Sequence, residues 1–355
     1  FLIDVIYVII TWGDIMTFDK KYILDLAQDI LTIPSPSGYS IKIVPRIEAE
    51  AKKYGLETEK TKKGNLIITY PGSNDYTVGL SVHVDTLGAM VRSISATGEI
   101  KFTTIGGPIW PTLDGEYCTI RTREDKDFTG TFLSTSPAVH VFKDASTKPR
   151  NPENMYVRLD EVIKTKEDVS KLGIEVGNFI FIDPKTTITE SGFVKSRFLD
   201  DKINVASIFG LIKHFKDNNI TPKYNLKFII STYEEVGHGA AFIPEMDEMI
   251  AVDMGCIGDD LTCTEFDVSI CPKDSSGPYD YNLTNKLIEI AKNKKINHAV
   301  DIYPYYGSDV SAAIRAGNDI RGALCGPGVH ASHGMERTHI DGILATISLL
   351  ANYLS

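Results

Sequence analysis

Cysteine is scarce in this chain of 355 residues. The five cysteines are scattered and form no Cys-x-x-Cys pair: Cys118, Cys256, Cys263, Cys271 and Cys325. No subset of them has the spacing of a zinc finger, and the set is too sparse and too odd for a small domain held together by disulfides. Free thiols are typical of a reducing compartment, so we expect a cytoplasmic protein.

Long apolar runs and an excess of basic residues are missing as well. Residues 1–10 (FLIDVIYVII) are apolar apart from Asp4, but a bilayer span needs roughly 18 to 20 such residues. This stretch also lacks the basic start and the cleavage site of a signal peptide. We expect residues 1–17 to be an N-terminal extension without a functional role. With 37 basic against 47 acidic residues, the chain is an unsuitable partner for nucleic acid or for an anionic membrane surface.

The composition is that of a folded protein, with 43% apolar and 24% charged residues, and it excludes disorder. Residues 18–86 and 195–355 alternate helix-like and strand-like segments, beginning with a predicted helix over 18–31. Between them, residues 87–194 read as short strands separated by Gly and Pro turns. The pattern predicts an α/β sheet domain that is interrupted by a β-rich domain. Residues 198–215 predict a strongly amphipathic helix.

Polar side chains stand at the carboxyl ends of the apolar strands, which is the edge where open α/β sheets bind ligands. His83 and Asp85 follow the strand-like run 78–82 and point to one side of it, so the Asp85 carboxylate is expected beside the His83 imidazole. Such a carboxylate fixes the tautomer of a metal-binding histidine. An incidental polar pair at the end of a strand is the alternative.

Two acidic pairs follow further along the chain. Asp200 and Asp201 lie at the start of the helix predicted over 198–215, where they either cap its N-terminus or supply a carboxylate that bridges two cations. Glu234 and Glu235 end a mostly apolar run, and burying two like charges side by side is costly unless cations neutralise them or one is protonated. One glutamate would then bind an ion while the other takes a proton from water.

A single acid and a histidine cluster complete the set. Asp253 ends the apolar strand of residues 249–252, and His330, His333 and His339 lie in and after a loop of Gly and Ser before the last helix. Each is individually compatible with a structural role. The order of one His, an acid, an acid pair, an acid and a His is typical of a two-metal centre, whose hard divalent ions accept imidazole and carboxylate and need no cysteine.

These motifs together resemble the TET-type family of di-metal aminopeptidases, which includes glutamyl and deblocking aminopeptidases. The matching segments run from residue 34 to residue 336: PSPSGY (34–39), HVDTLG (83–88), KLGIEVGN (171–178), LDDK (199–202), EEVG (234–237), VDMG (252–255) and SHGME (332–336). The resemblance implies a three-layer α/β/α catalytic domain with a mixed, zinc-exopeptidase-like sheet. It also implies an inserted, barrel-like domain that serves dimerisation and the assembly of dimers to a dodecamer.

The same resemblance implies two divalent metal ions per subunit, zinc or cobalt with manganese as a further option. His83 and Asp253 would hold one ion, Glu235 and His333 the other, and Asp200 would bridge them.

By the same likeness Glu234 would be the general base and Asp85 the partner of the His83 ring. A cis peptide at Asp200–Asp201 is implied too.

The function expected is a metal-dependent aminopeptidase that removes N-terminal residues from peptides. The alternatives are an amidohydrolase or deacylase that acts on N-acylated amino acids or peptides at the same centre, an endoglucanase-like glycosidase with paired carboxylates, and a metal-binding scaffold without catalysis. The glycosidase leaves the histidines unexplained. Arg197, His330 and Arg337 are candidates for selecting an acidic side chain at the N-terminus of the substrate.

Overall fold

The helices form where the apolar periodicity predicts them. The computed structural model describes residues 16–355, and its seven α-helices there are as follows: α1 (Lys20–Leu31), α2 (Ile43–Lys53), α3 (Lys166–Lys171), α4 (Leu199–Asp217), α5 (Tyr281–Asn293), α6 (Asp309–Arg315) and α7 (Ile340–Leu354). Short 3₁₀ turns occupy Trp110–Leu113, Glu234–Val236 and Gly239–Ala241.

The strands between them belong to two larger assemblies and two small sheets. In chain order they are: β1 (Glu57–Lys60), β2 (Leu66–Tyr70), β3 (Thr77–His83), β4 (Gly88–Ile94), β5 (Ile100–Ile105), β6 (Tyr117–Arg121), β7 (Asp127–Ser134), β8 (Met155–Leu159), β9 (Phe179–Ile182), β10 (Thr187–Ile188), β11 (Phe193–Ser196), β12 (Asn225–Ser231), β13 (Glu248–Val252), β14 (Gly255–Cys256), β15 (Val268–Ile270), β16 (Lys273–Asp274), β17 (Gly277–Pro278), β18 (His298–Val300), β19 (Arg321–Val329) and β20 (Glu336–His339).

The central sheet is mixed, as predicted. Its strands pair in the order β1-β2-β12-β3-β13-β19-β15-β18, with β14 beside the end of β19. The four central strands β12, β3, β13 and β19 are parallel. Strand β2 pairs antiparallel with both β1 and β12, and β15 pairs antiparallel with β19. The carboxyl ends of β12, β3 and β13 therefore meet at one edge.

Side chains from the two faces of this sheet enter two separate apolar cores, which makes the domain three-layered. On β13, Ile250 and Val252 join the core that α1, α4 and α7 cover, while Met249 and Ala251 join the core that contains Val310 of α6. Alternate residues of a strand point to opposite faces, so a strand buried on both sides is apolar throughout. The predicted α/β/α architecture is confirmed.

Helix α4 departs from the prediction in one respect. The helix is present, but it is not amphipathic, because nearly all of its side chains are buried, from Leu199 to Phe215. It lies between α1, α7 and strands of the central sheet, so it has hardly any solvent face. A helix that is apolar on all sides is typical of this central position.

The insertion contains a closed antiparallel barrel, as the fold prediction requires. Its six strands close in the order β4-β5-β8-β7-β6-β9, with β9 returning to pair with β4. The barrel strands run from Gly88 to Ile182. The domain limits 18–86 plus 195–355 and 87–194 stay predictions.

No helix within residues 16–355 combines the length and the apolar character needed to cross a membrane. The predicted N-terminal extension, residues 1–17, lies outside the described residues except for its last two.

Candidate metal centre

The parallel strands bring the predicted polar residues to one edge of the sheet. His83 is the last residue of β3 and lies opposite Ser231, the last residue of β12, from which the chain continues to Glu234 and Glu235. Asp253 directly follows β13, the other neighbour of β3. Register alone therefore gathers an imidazole and three carboxylates that are far apart in sequence.

Asp200 lies between two histidines. Its Oδ1 is 3.1 Å from Nε2 of His83, and its Oδ2 is 3.7 Å from Nε2 of His333. On the His333 side, Oε2 of Glu235 is 3.5 Å from the same Nε2. On the His83 side, Oε2 of Glu234 is 3.8 Å from Nε2 of His83. One carboxylate thus presents each of its oxygens to a different histidine.

Two groups of side chains offer ligand atoms that all lie within 4.8 Å of one another. One consists of His83, Asp200 and Glu235, and the other of His83, Asp201 and Asp253. Asp201 was not among the predicted ligands. Its Oδ2 accepts a hydrogen bond from the His83 backbone N–H (3.1 Å) and its Oδ1 accepts one from the Asn204 amide (2.6 Å). Both oxygens of Asp201 are thus engaged in hydrogen bonds within the protein.

The connection between these two aspartates is a cis peptide bond, as the resemblance implies. Asp200 and Asp201 precede the regular part of α4, since neither has helical backbone angles.

Asp85 holds the turn that carries the two glutamates. Its carboxylate accepts hydrogen bonds from the backbone N–H groups of Glu234 (3.0 Å) and Glu235 (3.2 Å) and from the Ser37 hydroxyl (2.5 Å). The carboxylate is 3.6 Å from Nδ1 of His83, whereas the hydrogen bond of that ring nitrogen goes to the Asp85 backbone carbonyl at 2.9 Å. A donor bond from Nδ1 leaves Nε2 of His83 free to bind a cation.

Glu336 holds the backbone at Asp200 and His333. Its Oε2 accepts a hydrogen bond from the Asp200 N–H (3.1 Å) and its Oε1 accepts one from the His333 N–H (3.0 Å). Glu336 was not among the predicted site residues, although it is the last residue of the SHGME segment. A buried acid in a polar loop was the available signal.

The electrostatics of this cluster favour cations. Burial raises the pKa values of Glu234 and Glu235 well above their usual range, and neighbouring carboxylates add to the shift. Burial and the charge of Asp200 raise the pKa of Asp253 to about 7. Burial opposes ionisation of Asp200 too, but the hydrogen bond and charge of His83, the charge of His333 and the Ser332 hydroxyl together outweigh it and lower the Asp200 pKa. Positive charge is what would keep this set of acids ionised.

The donor set fits a divalent metal. Oε1 of Glu235 is buried and has no hydrogen-bond partner among residues 16–355, so its lone pairs remain available to an ion. Imidazole nitrogen and carboxylate oxygen are common ligands of zinc, cobalt and manganese.

A cleft of about 270 Å³ opens over the cluster. Its walls contain Asp200, Glu234, Glu235, Asp253 and His333 on one side.

A further wall of the cleft comes from the segment 305–308 and from Ser311 and Arg315 of α6. Among the described residues that line the cleft, Arg315 is the one basic side chain besides His333. Arg197, His330 and Arg337 do not line it. Their suggested contact with an acidic substrate side chain therefore has no support from the structure.

The comparisons with known proteins agree with this geometry. The family model described as "M42 glutamyl aminopeptidase" matches residues 64–349. The protein named "Putative aminopeptidase YhfE" of Bacillus subtilis (strain 168) is 46% identical over 334 residues, which are 93% of this chain and 96% of that protein.

Solved structures share the fold. A TET aminopeptidase from a marine sediment Thaumarchaeota archaeon superposes with a TM-score of 0.86 at 18% identity, covering 94% of this chain and 96% of that one. The TET1 peptidase of Pyrococcus horikoshii gives a TM-score of 0.81 at 22% identity, covering 94% and 99%. A structure titled endoglucanase, from Thermotoga maritima, gives 0.72 at 15% identity and 93% and 96% coverage, which shows the fold alone.

The predicted enzyme class is confirmed by the family match and by the relatives, and the glycosidase and deacylase alternatives gain no better support. The protein is a peptidase hydrolase, a metal-dependent aminopeptidase. Because the family model covers most of the chain and a relative is 46% identical along nearly its whole length, the chain belongs to the M42 glutamyl aminopeptidase family.

Proposed function

We propose that the cluster binds two divalent cations, zinc or cobalt with manganese as a further option, and that Asp200 bridges them. The carrying observation is that its two oxygens face Nε2 of different histidines, His83 and His333. Asp253 completes the His83 side and Glu235 the His333 side. Two dications bring four positive charges to three ligand carboxylates, so the centre is close to electrically balanced.

Bound in this way, the two ions would polarise the scissile carbonyl group and lower the pKa of a water molecule between them. Glu234 is the proposed general base. Its carboxylate borders the cleft beside His83 and is not engaged by Asp85, which holds only its backbone N–H. It takes the proton from the attacking water and returns it to the leaving amine. Asp85 keeps Glu234 and Glu235 in register with the sheet edge.

The roles of base and bridge are separable by substitution. We expect Glu234→Gln to keep two ions per chain and to lose turnover by about a hundredfold to ten-thousandfold, since it removes only the proton acceptor. Asp200→Asn is expected to lose metal, because both ion positions use this carboxylate. Metal content by elemental analysis and kcat on an aminoacyl-p-nitroanilide measure the two effects.

The matched control is Glu245→Gln, an exposed acid outside the cleft, which should change neither quantity. Near-normal turnover in Glu234→Gln would show that another group is the base.

A free amino terminus is the proposed recognition element of the substrate. The proposed ions would accept the lone pair of an unprotonated α-amine, whereas the nitrogen lone pair of an N-acyl group is delocalised into its carbonyl. We expect cleavage of a free tripeptide and no release of amino acid from its N-acetyl form, as measured by chromatography of the products. Equal rates on both would instead favour the deacylase alternative.

An acidic N-terminal residue is the proposed preference. The support is Arg315, which lies on the α6 wall of the cleft, about two helical turns after Ser308. It donates a hydrogen bond to the Ser276 hydroxyl at 3.0 Å, which leaves other guanidinium N–H groups for a substrate carboxylate.

Arg315→Ala should lower kcat/KM for a glutamyl-p-nitroanilide by about tenfold or more, the effect of one charge-assisted hydrogen bond. The same variant should leave kcat/KM for a leucyl-p-nitroanilide nearly unchanged, and Arg315→Lys should recover part of the loss on the glutamyl substrate. A uniform loss on both substrates would refute a role in selection.

We also propose that the chain forms homo-oligomers, from dimers up to a dodecamer, through the insertion 87–194. Solved neighbours include a structure titled as a dodecamer. Within the insertion, Val139 and Val141 are 68% and 72% exposed, which is unusual for valine and suits a contact between copies. Light scattering should give a multiple of 39.2 kDa, and a monomer mass would contradict the proposal.

The five free thiols support a cytoplasmic location.

A further inference from the structure

A loop of the inserted barrel forms one wall of the metal centre. This loop, residues 106–113, follows β5 in the connection to β6 and contains the turn Trp110–Leu113. The Gly107 carbonyl is 3.0 Å from Nδ1 of His333, and the Ile109 N–H donates to the His333 carbonyl at 3.0 Å. Residues of the barrel thus contact a proposed ligand on both its side chain and its backbone.

The contact with Gly107 has a chemical consequence. A backbone carbonyl only accepts hydrogen bonds, so Nδ1 of His333 carries the hydrogen and Nε2 carries the lone pair. Nε2 is the atom that faces Asp200 and Glu235. The barrel loop therefore selects the tautomer of His333 that binds a cation.

The close approach of the loop depends on Gly106. Its φ of +70° lies in the left-handed region, and a Cβ there would lie 2.4 Å from Cδ2 of Leu87 and 3.4 Å from the Glu235 carbonyl. A side chain at this position would therefore disturb the packing of the loop against Leu87 and against the backbone of Glu235.

Arg197 fastens this loop to the turn that carries His333. Its side chain is 4% exposed and donates hydrogen bonds to the Thr112 carbonyl (2.7 Å) and to the Gly334 carbonyl (3.2 Å). Glu116 lies 3.4 Å away and balances the charge. Arg197 follows β11, which pairs with β20, so the register of these strands places it beside the His333 turn.

The His333 turn needs such support. His333 has φ +63° and Ala331 has φ +59°, conformations that non-glycine residues rarely adopt. Backbone of this kind persists where the surroundings fix it. The surroundings here are Glu336, the barrel loop and Arg197.

We propose that Arg197 is a positioning residue for the second metal ion, which is the ion that Glu235 and His333 would hold. By joining the barrel loop 106–113 to the His333 turn, Arg197 keeps Nε2 of His333 facing Asp200 and Glu235. The inference rests on the proposed two-ion function and adds that the inserted barrel builds part of the ion site. Substitution of Arg197 would then weaken the binding of the second ion and leave the binding of the first ion unchanged.

The first experiment compares Arg197→Met with Arg150→Met in the full-length protein. Arg150 is a matched control, because its guanidinium likewise binds backbone carbonyls (Ala145, Lys148) and a carboxylate (Asp114), all within the insertion and none at His333. Apo-protein is titrated with zinc against a chromophoric chelator, and with cobalt followed by its visible absorption.

We expect Arg197→Met to bind the second ion about tenfold to a hundredfold more weakly, the usual effect of removing a partner of a metal ligand. The first ion should bind as in the unmodified protein. At limiting metal kcat should fall and recover with excess metal, while KM stays unchanged. Arg150→Met should bind both ions normally.

The second experiment removes a single N–H from the loop. Ile109 has φ −71°, which proline adopts without strain, so Ile109→Pro deletes the donor to the His333 carbonyl and keeps the local backbone. Ile109→Ala keeps that N–H and is its control. Ile109→Pro should weaken the second ion in the same direction as Arg197→Met, and Ile109→Ala should not.

Wild-type affinity for both ions in Arg197→Met and in Ile109→Pro would overturn the inference, as would equal weakening of both ions. If Arg197→Met fails to fold, Ile109→Pro decides. Failure of the proposed function has a different signature, namely that the unmodified protein binds fewer than two ions or that His333→Ala leaves ion binding unchanged. Either result removes the inference as well.

Discussion

The structure depends on one electrostatic constraint, the burial of several carboxylates at a single edge of a sheet. Asp200, Glu235 and Asp253 lie within a few ångströms of His83 or His333, and neighbouring Glu234 and Glu336 are also withdrawn from water. Like charges in this setting repel and are poorly solvated, and bound cations would relieve both effects. The fold tolerates the arrangement because backbone N–H groups compensate two supporting acids, Asp85 and Glu336.

Much of this arrangement can be predicted from the sequence, since it follows from strand register. His83 and Asp253 end apolar runs of the central sheet, and such runs in an α/β chain pair in parallel and end together. The change of pattern near residue 87 and again near 194 predicts an α/β domain with a β-rich insertion, whereas the three layers and the barrel are implied by the family resemblance. What the sequence could not give depends on contacts between remote segments. The hydrogen bond of His83 goes to the Asp85 carbonyl, not to the expected carboxylate. A backbone carbonyl that accepts a hydrogen bond cannot be recognised from residue types, because every residue has one. Helix α4 is buried on nearly all sides because two helices cover it, which its own periodicity does not encode.

The role of Arg197 illustrates the same limit. An arginine near a run of acidic motifs suggests contact with an anionic substrate, yet its guanidinium is bound to the carbonyls of Thr112 and Gly334. The basic side chain that lines the cleft is Arg315, on a helix whose sequence carries no recognisable motif. Under the two proposals, selection of the substrate side chain and assembly of the ion site would use different side chains. Arg315 itself is exposed at the end of α6, whereas Asp309 and Val310 of the same helix contact the central strands.

The single carboxylate of Asp85 has a mechanical consequence for the two glutamates. One group accepts the N–H bonds of both residues, so Glu234 and Glu235 share one point of attachment. Glu234 is the proposed proton acceptor and Glu235 a proposed ion ligand, so a substitution of Asp85 would release the backbone of both at once. Two different proposed roles in the reaction therefore depend on one side chain that performs neither of them.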